Sequence, residues 1–281
     1  MPWTFALPGL VFYLVFLVWP VISAMMTSFT NWDGLSPQRS FVGLDNYTAM
    51  LNDKVVGIAA VNNLLWCLVT IVLPMALGLF LAVLLNRSSR TSPVFRTIFY
   101  TPAVLPLVSI ASIWAWLYDP SEGAINTALS AVGLDALAQS WLGQDSTAIW
   151  AVMVPAVWVR TGFPMLLYLA ALQSIPSELY EAAQVDGANR WQRFWGVTFP
   201  SLKDTHYIVL ALSVIESFKV FDLVYAMTYG GPGYATQVMG TWMYANVFQY
   251  FNAGYGTAIA VVITVVAVGV GVPYVRSQVR N

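Results

Sequence analysis

EAAQVDGANRWQRFWGVTFP, residues 181–200, is the stretch on which the reading of this chain turns. It carries small, polar and basic residues, with Gly187 in its first half and Pro200 at its end, inside a strongly apolar sequence. Working outward from it, composition sets the class. Of 281 residues, 58% are hydrophobic and 9% charged, against about 45–50% and about 25% in soluble domains. An all-α integral membrane protein is expected, because a chain in lipid must satisfy its backbone within helices.

A spanning helix needs roughly 20 predominantly apolar residues. Six segments supply them: 5–29, 58–85, 97–117, 148–172, 207–229 and 257–274. Together they make one transmembrane domain over residues 1–281. Pro20, Pro74, Pro106, Pro155 and Pro164 fall inside these segments and are tolerated where neighbouring helices re-satisfy the freed carbonyls. Gly78 and Ala82, four apart, and Gly162 suit close helix packing. The first segment lacks a basic flank and exceeds the roughly 7–15 apolar residues of a leader peptide, so it reads as a retained span.

Lys and Arg in the connections set the orientation. Arg87, Arg90, Arg96, Arg190, Arg193, Lys203, Arg276 and Arg280 all fall on one side, and only Arg39 and Lys54 on the other. Residues 119–147 hold four carboxylates and no base, and residues 230–256 hold no charge. Both termini and the quoted stretch are expected in the cytoplasm. Trp32, Tyr47, Trp114, Trp116, Tyr118, Trp141 and Trp150 form the aromatic belt of the outer face.

Several chemistries are excluded. A net charge of −1 leaves no nucleic-acid footprint. The single cysteine, Cys67, makes neither a disulfide nor a CxxC pair, and the single histidine, His206, makes no His-rich metal site. No glycine precedes a lysine, so there is no phosphate-binding P-loop. Any ATP used must be bound by another chain.

The quoted stretch itself reads as two short helices. Pro176 suits a first helical turn, and Glu178 and Glu181 the positive end. Leu179, Ala182 and Ala183 share one face. Gly187 suits the left-handed position that stops a helix. A second helix follows with Trp191, Phe194 and Trp195 on its apolar side, and Pro200 ends it. By these residues alone the segment is either an interfacial amphipathic connector or a docking element.

The EAA, then DGA, then Phe194, Val197 and Pro200 resemble the EAA motif of ABC-importer permeases. The resemblance implies that the loop, about 174–204, is a cytoplasmic coupling helix-turn-helix that docks on an ATPase, with Glu181, Ala182, Ala183, Asp186 and Gly187 at the matching positions. WVRTGFPMLLYLAALQSIPSELYEAAQVDGA (158–188) and ESFKVFDLVYAMTYGGPG (216–233) further resemble the carbohydrate-uptake branch, which includes maltose-type and glycerol-3-phosphate-type permeases. Asp204 departs from that pattern, where many relatives have proline. The family implies a second homologous permease subunit, two ATPase subunits carrying ATP and Mg, an extracytoplasmic solute-binding protein, and a place in a bacterial or archaeal cytoplasmic membrane. No cofactor, catalytic centre or metal site is expected on this chain itself.

The apolar segments also hold charges, each of which costs about 2.5–3.5 kcal/mol near a bilayer centre. Arg160 lies in the fourth segment. Glu216, Lys219 and Asp222 follow i, i+3, i+6 spacing in the fifth and are expected on one broad helical face. Arg160 and Glu216 fall at similar depth and are expected to pair. Either a buried ion network locks the helices, or these groups line a solute cavity with Trp158 and Tyr225, joined by Phe218, Phe221 and Tyr229, whose rings would meet the apolar faces of a sugar. Asn62 and Asn63 suit either an entrance contact with solute or interhelical hydrogen bonds. The 229–235 run, YGGPGYA, suits either a plain turn or a seat for a docked protein. An anionic polyol carried by the same kind of permease, or an ion-coupled secondary transporter using the carboxylates, are the alternatives.

Overall fold

A computed structural model describes residues 6–86 and 92–279, with side chains described up to residue 271. Arg87, Arg90 and Arg280 lie outside the described residues, as does the side chain of Arg276. The described residues are almost wholly helical, with no strand beyond an isolated bridge between Thr30 and Phe41.

In chain order the helices are α1 (Leu7–Thr27), α2 (Asp45–Asn52), α3 (Lys54–Leu85), α4 (Ser92–Val104), α5 (Leu107–Leu117), α6 (Ala124–Ala131), α7 (Asp145–Gln173) and α8 (Ser177–Val185). There follow α9 (residues 190–201), α10 (Lys203–Ser217), α11 (Asp222–Thr228), α12 (Met239–Tyr244) and α13 (Ala253–Val279). Four of them, α1, α3, α7 and α13, are long and apolar enough to cross a membrane, and α4 with α5 makes a fifth if the bent pair counts as one span.

The centre of the molecule is α7 packed along α3. Glycine makes that approach possible. A Cβ on Gly78 would stand 2.8 Å from Pro164 Cβ and 2.9 Å from the Met165 amide nitrogen, and one on Gly162 would stand 2.7 Å from the Phe99 carbonyl. The expectation that Gly78, Ala82 and Gly162 serve close packing is met, and Ala82 is fully buried. One core cluster joins Trp66, Ile110, Met153, Val220 and Val224; another joins Ala82, Tyr168, Leu172, Leu202 and Val209 at the opposite end of the bundle.

Two expected spans are not single helices. The third, 97–117, bends by 101° between Val104 and Leu107. Leu105 is extended (φ −80°, ψ 144°) because the following Pro106 disfavours the helical region for it. The fifth, 207–229, stops at Ser217 and restarts at Asp222, with Phe221 at φ −157°. The tolerance of bundles for proline holds for Pro74, Pro155 and Pro164, which stay inside continuous helices. It fails at Pro106.

Candidate functional site

The motif segment is a helix pair, as its residues suggest. Pro176, extended at ψ 135°, stands just before α8 rather than in its first turn. At the other end Gly187 adopts φ +79°. The Ala188 amide donates to the Ala183 carbonyl at 2.9 Å and the Gly187 amide to the Gln184 carbonyl at 3.1 Å, the paired bonds of a Schellman stop. Asp186 is the last, non-helical step into it. Asn189 then opens α9 with a reciprocal capping box, its side chain accepting from the Gln192 amide at 2.9 Å and its own amide donating to Gln192 Oε1 at 2.8 Å.

Pro200 does not end α9. A wide π turn, Phe194–Thr198, precedes it, and the helix continues through Phe199–Ser201 until the chain turns at Leu202. Proline is accommodated because it falls in the first positions after that turn, where its missing N–H is not needed. Trp191, Phe194, Trp195 and Phe199 form a ring cluster with centroids 4.9–6.3 Å apart.

No residue of α8 is buried. Glu181, Ala182, Asp186 and Gly187 are exposed and Ala183 half-buried. Val185 is 88% exposed and Leu179 47%. Among the described residues, the one side-chain bond from α8 to another element runs to α9, between Tyr180 Oη and Thr198 Oγ1 at 3.1 Å.

The charged cluster lies where the fifth segment breaks. Arg160 on α7 reaches Glu216, yet not as an ion pair. Its Nη2 donates to the Glu216 backbone carbonyl at 3.1 Å. That carbonyl also accepts from the Lys219 amide at 3.3 Å, and with the helix ending one residue later its second lone pair takes the guanidinium. The Glu216 carboxylate pairs instead with Lys219 at 3.0 Å, both side chains being exposed. The one-face arrangement of Glu216, Lys219 and Asp222 is corrected by the same break: Asp222 opens a new helix, so the i+6 step does not apply.

Arg160, Lys219 and Asp222 nevertheless converge on one cavity of about 30 Å³, with Trp66 of α3 on its wall. Two donors there, Arg160 Nη1 and Trp66 Nε1, are buried and have no acceptor among the described residues. The space suits a single water or hydroxyl. Tyr225 sits one turn along α11 in an aromatic group, stacked on Phe221 at 5.1 Å and edge-on to Tyr229 and Tyr244 at 4.9 and 5.0 Å. Trp158 is not brought to this cavity. Two residues from Arg160, it points elsewhere on α7 and meets Trp114 at 5.9 Å. Trp66 and Tyr244 were not legible as members of the site, since each reads as one aromatic residue in an apolar run.

Across the molecule a second polar arrangement went unread in the sequence. Asp53 caps α3, accepting from the Val55 amide at 2.8 Å, and also accepts from Trp242 Nε1 at 3.0 Å and Tyr255 Oη at 2.7 Å. Burial alone would push its carboxyl up, but the bonds from Tyr255, Val55 and Trp242 outweigh it and hold the group below the usual carboxylate range. Asn62 and Asn63 serve the hydrogen-bonding reading. Asn62 Nδ2 donates to the carbonyls of Ala235 and Gln237 at 2.9 and 2.8 Å, and Asn63 Oδ1 accepts from the Met239 amide at 2.8 Å. The 229–235 run is a tied turn, with Gly230 and Gly233 at positive φ and Thr236 Oγ1 donating to the Gly231 carbonyl at 2.7 Å.

Comparison with known proteins places the whole arrangement. Residues 75–277 match the family of binding-protein-dependent transport system inner membrane components. YurN, a probable ABC transporter permease protein of Bacillus subtilis, is 38% identical over 94% of this chain and 91% of its own length. The trehalose/maltose transport system permease protein MalF of Thermococcus litoralis is 34% identical over 96% of this chain and 90% of its own. A crystal structure of a bacterial alginate ABC transporter in complex with an alginate pentasaccharide-bound periplasmic protein superposes with a TM-score of 0.85 at 26% identity, covering 97% of this chain and 91% of that one. With its motif helices, its apolar bundle and these matches along nearly its full length, the chain belongs to the family of ABC transporter permeases, the inner membrane components of binding-protein-dependent transport systems.

Proposed function

We propose that this chain is one permease subunit of an ATP-driven importer for a sugar, a mono- or oligosaccharide. The observation that carries the proposal is α8 and the Schellman stop that follows it: the EAA residues on the helix and the DGA residues in the stop, none of them buried. Such an element is built to be covered by another protein. In this reading Glu181, Ala182, Ala183, Asp186 and Gly187 form the face that meets an ATPase subunit, which binds the ATP and Mg.

The six spans are then α1, α3, the bent pair α4 and α5, α7, the broken pair α10 and α11, and α13. Both termini and the α8–α9 segment face the cytoplasm. A second, homologous permease completes the pathway, two ATPase subunits drive it, and a solute-binding protein delivers solute at the opposite face. Transport is by alternating access. ATP-driven closure of the ATPases moves α8 and α9, and the break at residues 218–221 gives the fifth span a joint at which to respond.

The solute meets the break. Arg160 Nη1 and Trp66 Nε1 offer donors for a sugar hydroxyl, Asp222 offers an acceptor, and Phe221 with Tyr225 offers ring faces for the apolar side of a pyranose. Names of relatives that carry trehalose, maltose and alginate support the substrate class. Arg160 and Lys219 also favour a second reading, in which the solute is an anionic saccharide or polyol such as glycerol-3-phosphate. Glu216 and Lys219 neutralise each other beside it.

The test is purification of the tagged chain from its native membrane in mild detergent. Co-purification of an ATPase, a second permease and a binding protein is the expected result, and uptake should stop when the ATPase is inactivated. A chain that emerges alone and transports down an ion gradient would refute the proposal. Glu216→Ala should lower uptake in a complex that still assembles; loss of assembly would reassign that carboxylate to holding the helices together.

A further inference from the structure

A groove of about 1230 Å³ runs between α3, α9 and α10. Its floor on α3 extends from Ile71 through Met75 and Leu79 to Val83. Twelve steps of 1.5 Å make about 18 Å, close to the roughly 15 Å of hydrocarbon in one leaflet. Its two ends differ in chemistry. Ala82 and Leu202 share one packed cluster, so the start of α10 lies level with the C-terminal end of α3. Lys203 therefore marks that end, whereas Leu210, seven residues further along α10, lines the deep end; Arg190, at the start of α9, also lines the groove. Trp191, 69% exposed, stands on the rim.

Among the described residues, no aspartate or glutamate lines the groove. Arg190 and Lys203 are exposed, and neither is in an ion pair among the described residues. A sugar would find almost no polar partner on the floor. An apolar helix of another subunit would fill the floor but leave both cations without a counter-charge. An anionic phospholipid matches the groove: a phosphate for Lys203 at the membrane surface, a negative headgroup favoured by Arg190 as well, and an acyl chain one leaflet long for the floor.

We propose that this groove holds an anionic phospholipid, its phosphate on Lys203 and one acyl chain along α3 between Val83 and Ile71, with Arg190 as the second cation that lines the groove and favours an anionic headgroup. The bound lipid braces α9 against α3, and through α9 it steadies the neighbouring α8. The proposal rests on the functional reading only in placing this end of the bundle at the cytoplasmic leaflet.

The test uses the importer purified with its partner subunits and examined by native mass spectrometry after incubation with vesicles of phosphatidylcholine and phosphatidylglycerol. The wild type is expected to retain phosphatidylglycerol, and retention should fall about fivefold for each cation removed in Arg190→Gln and Lys203→Gln. Arg193→Gln is the control, since Arg193 is equally basic but does not line the groove. Equal loss in all three variants would reduce the effect to diffuse surface charge and overturn the site. So would retention unchanged in the Arg190→Gln, Lys203→Gln double variant, or a structure of the assembled importer with a partner helix seated in the groove. Mass spectra of the chain without an ATPase read the groove directly, so failure of the importer reading would not be mistaken for failure of this one.

Discussion

The two connections that flank the broken fifth segment are built in opposite ways. The turn from α11 to α12 is fastened to α3 by side chains 173–176 residues away: Asn62 takes the carbonyls of Ala235 and Gln237, and Asn63 takes the amide of Met239. The connection from α7 to α10 closes almost entirely upon itself, with a Schellman stop, a capping box and one bond from α8 to α9. Where a segment belongs to its own bundle, distant residues pay for its polar backbone. Where a segment is presented outward, it is finished locally and its side chains stay free. On the reading proposed for α8, this contrast separates stability from coupling, and substitutions on the two sides should divide accordingly.

The largest loss of stability is expected at the outer tie. Asp53→Ala removes the cap of α3 and strands the Trp242 and Tyr255 donors. Loss of a cap costs about 1 kcal/mol and each stranded donor about 1–3 kcal/mol when buried; both rings are buried but their bonds to Asp53 are only part-buried, so about 3 kcal/mol in all is expected in thermal unfolding of the purified complex. The tie also has an acid limb. Because Asp53 titrates below its ordinary 3.8 in the folded chain, the unfolded chain takes up the proton first. The stabilisation is complete above about pH 4 and is lost as pH falls through the depressed value. Asp53→Asn should abolish that limb, and an unchanged acid slope in this variant would dissociate the tie from stability.

Asn62→Ala comes next. It leaves two carbonyls without their donor, one of them in a buried stretch, and about 2 kcal/mol is expected. The loss should show as a lower Tm and as faster amide exchange at residues 235–239, with the exchange of α8 unaltered. Matching changes in α8 would join the two connections into one unit and end the distinction drawn between them.

On the other side, Gly187→Ala places a side chain at φ +79°, a conformation costing an L-residue about 1–2 kcal/mol. A Cβ there would meet nothing within 4 Å, so the cost is purely conformational. It is relieved by reorienting α8 against α9, without disturbing the bundle. ATP-driven uptake should fall several-fold while the Tm moves by no more than a few degrees. Full uptake with a lowered Tm would mark Gly187 as a fold residue only.

The same contrast governs what was legible in the sequence. Local signals were readable: the stop at Gly187, the aromatic side of α9 and the small residues at Gly78 and Gly162 all follow from short spacings and backbone sterics. Apolar length located the four long helices, because one strong signal runs through each. What escaped was long-range or depended on a break. Nothing near Asp53 announces Trp242 or Tyr255, which lie 189 and 202 residues away. Helical periodicity put Glu216, Lys219 and Asp222 on one face because it assumes a helix that continues, whereas the chain unwinds after Ser217. Arg160 was rightly brought to Glu216 by depth, but the partner atom is a backbone carbonyl at the end of the helix, which it shares with the Lys219 amide.

The smallest effect on the chain itself is expected at Val185, and it separates the regions most finely. At 88% exposure Val185 has almost no apolar contact to lose, so Val185→Ser should alter the Tm of the isolated chain by less than about 0.5 kcal/mol equivalent. If α8 is covered by an ATPase subunit, the same substitution withdraws apolar surface from that interface. Full burial of a valine is worth about 1.5 kcal/mol or more, so the variant should hold its ATPase up to about tenfold less tightly in a detergent pull-down. A shift in Tm without a change in ATPase retention would mean that α8 folds back on its own bundle in the membrane. Weaker retention at constant Tm would show a side chain kept exposed in one protein because it is buried by another.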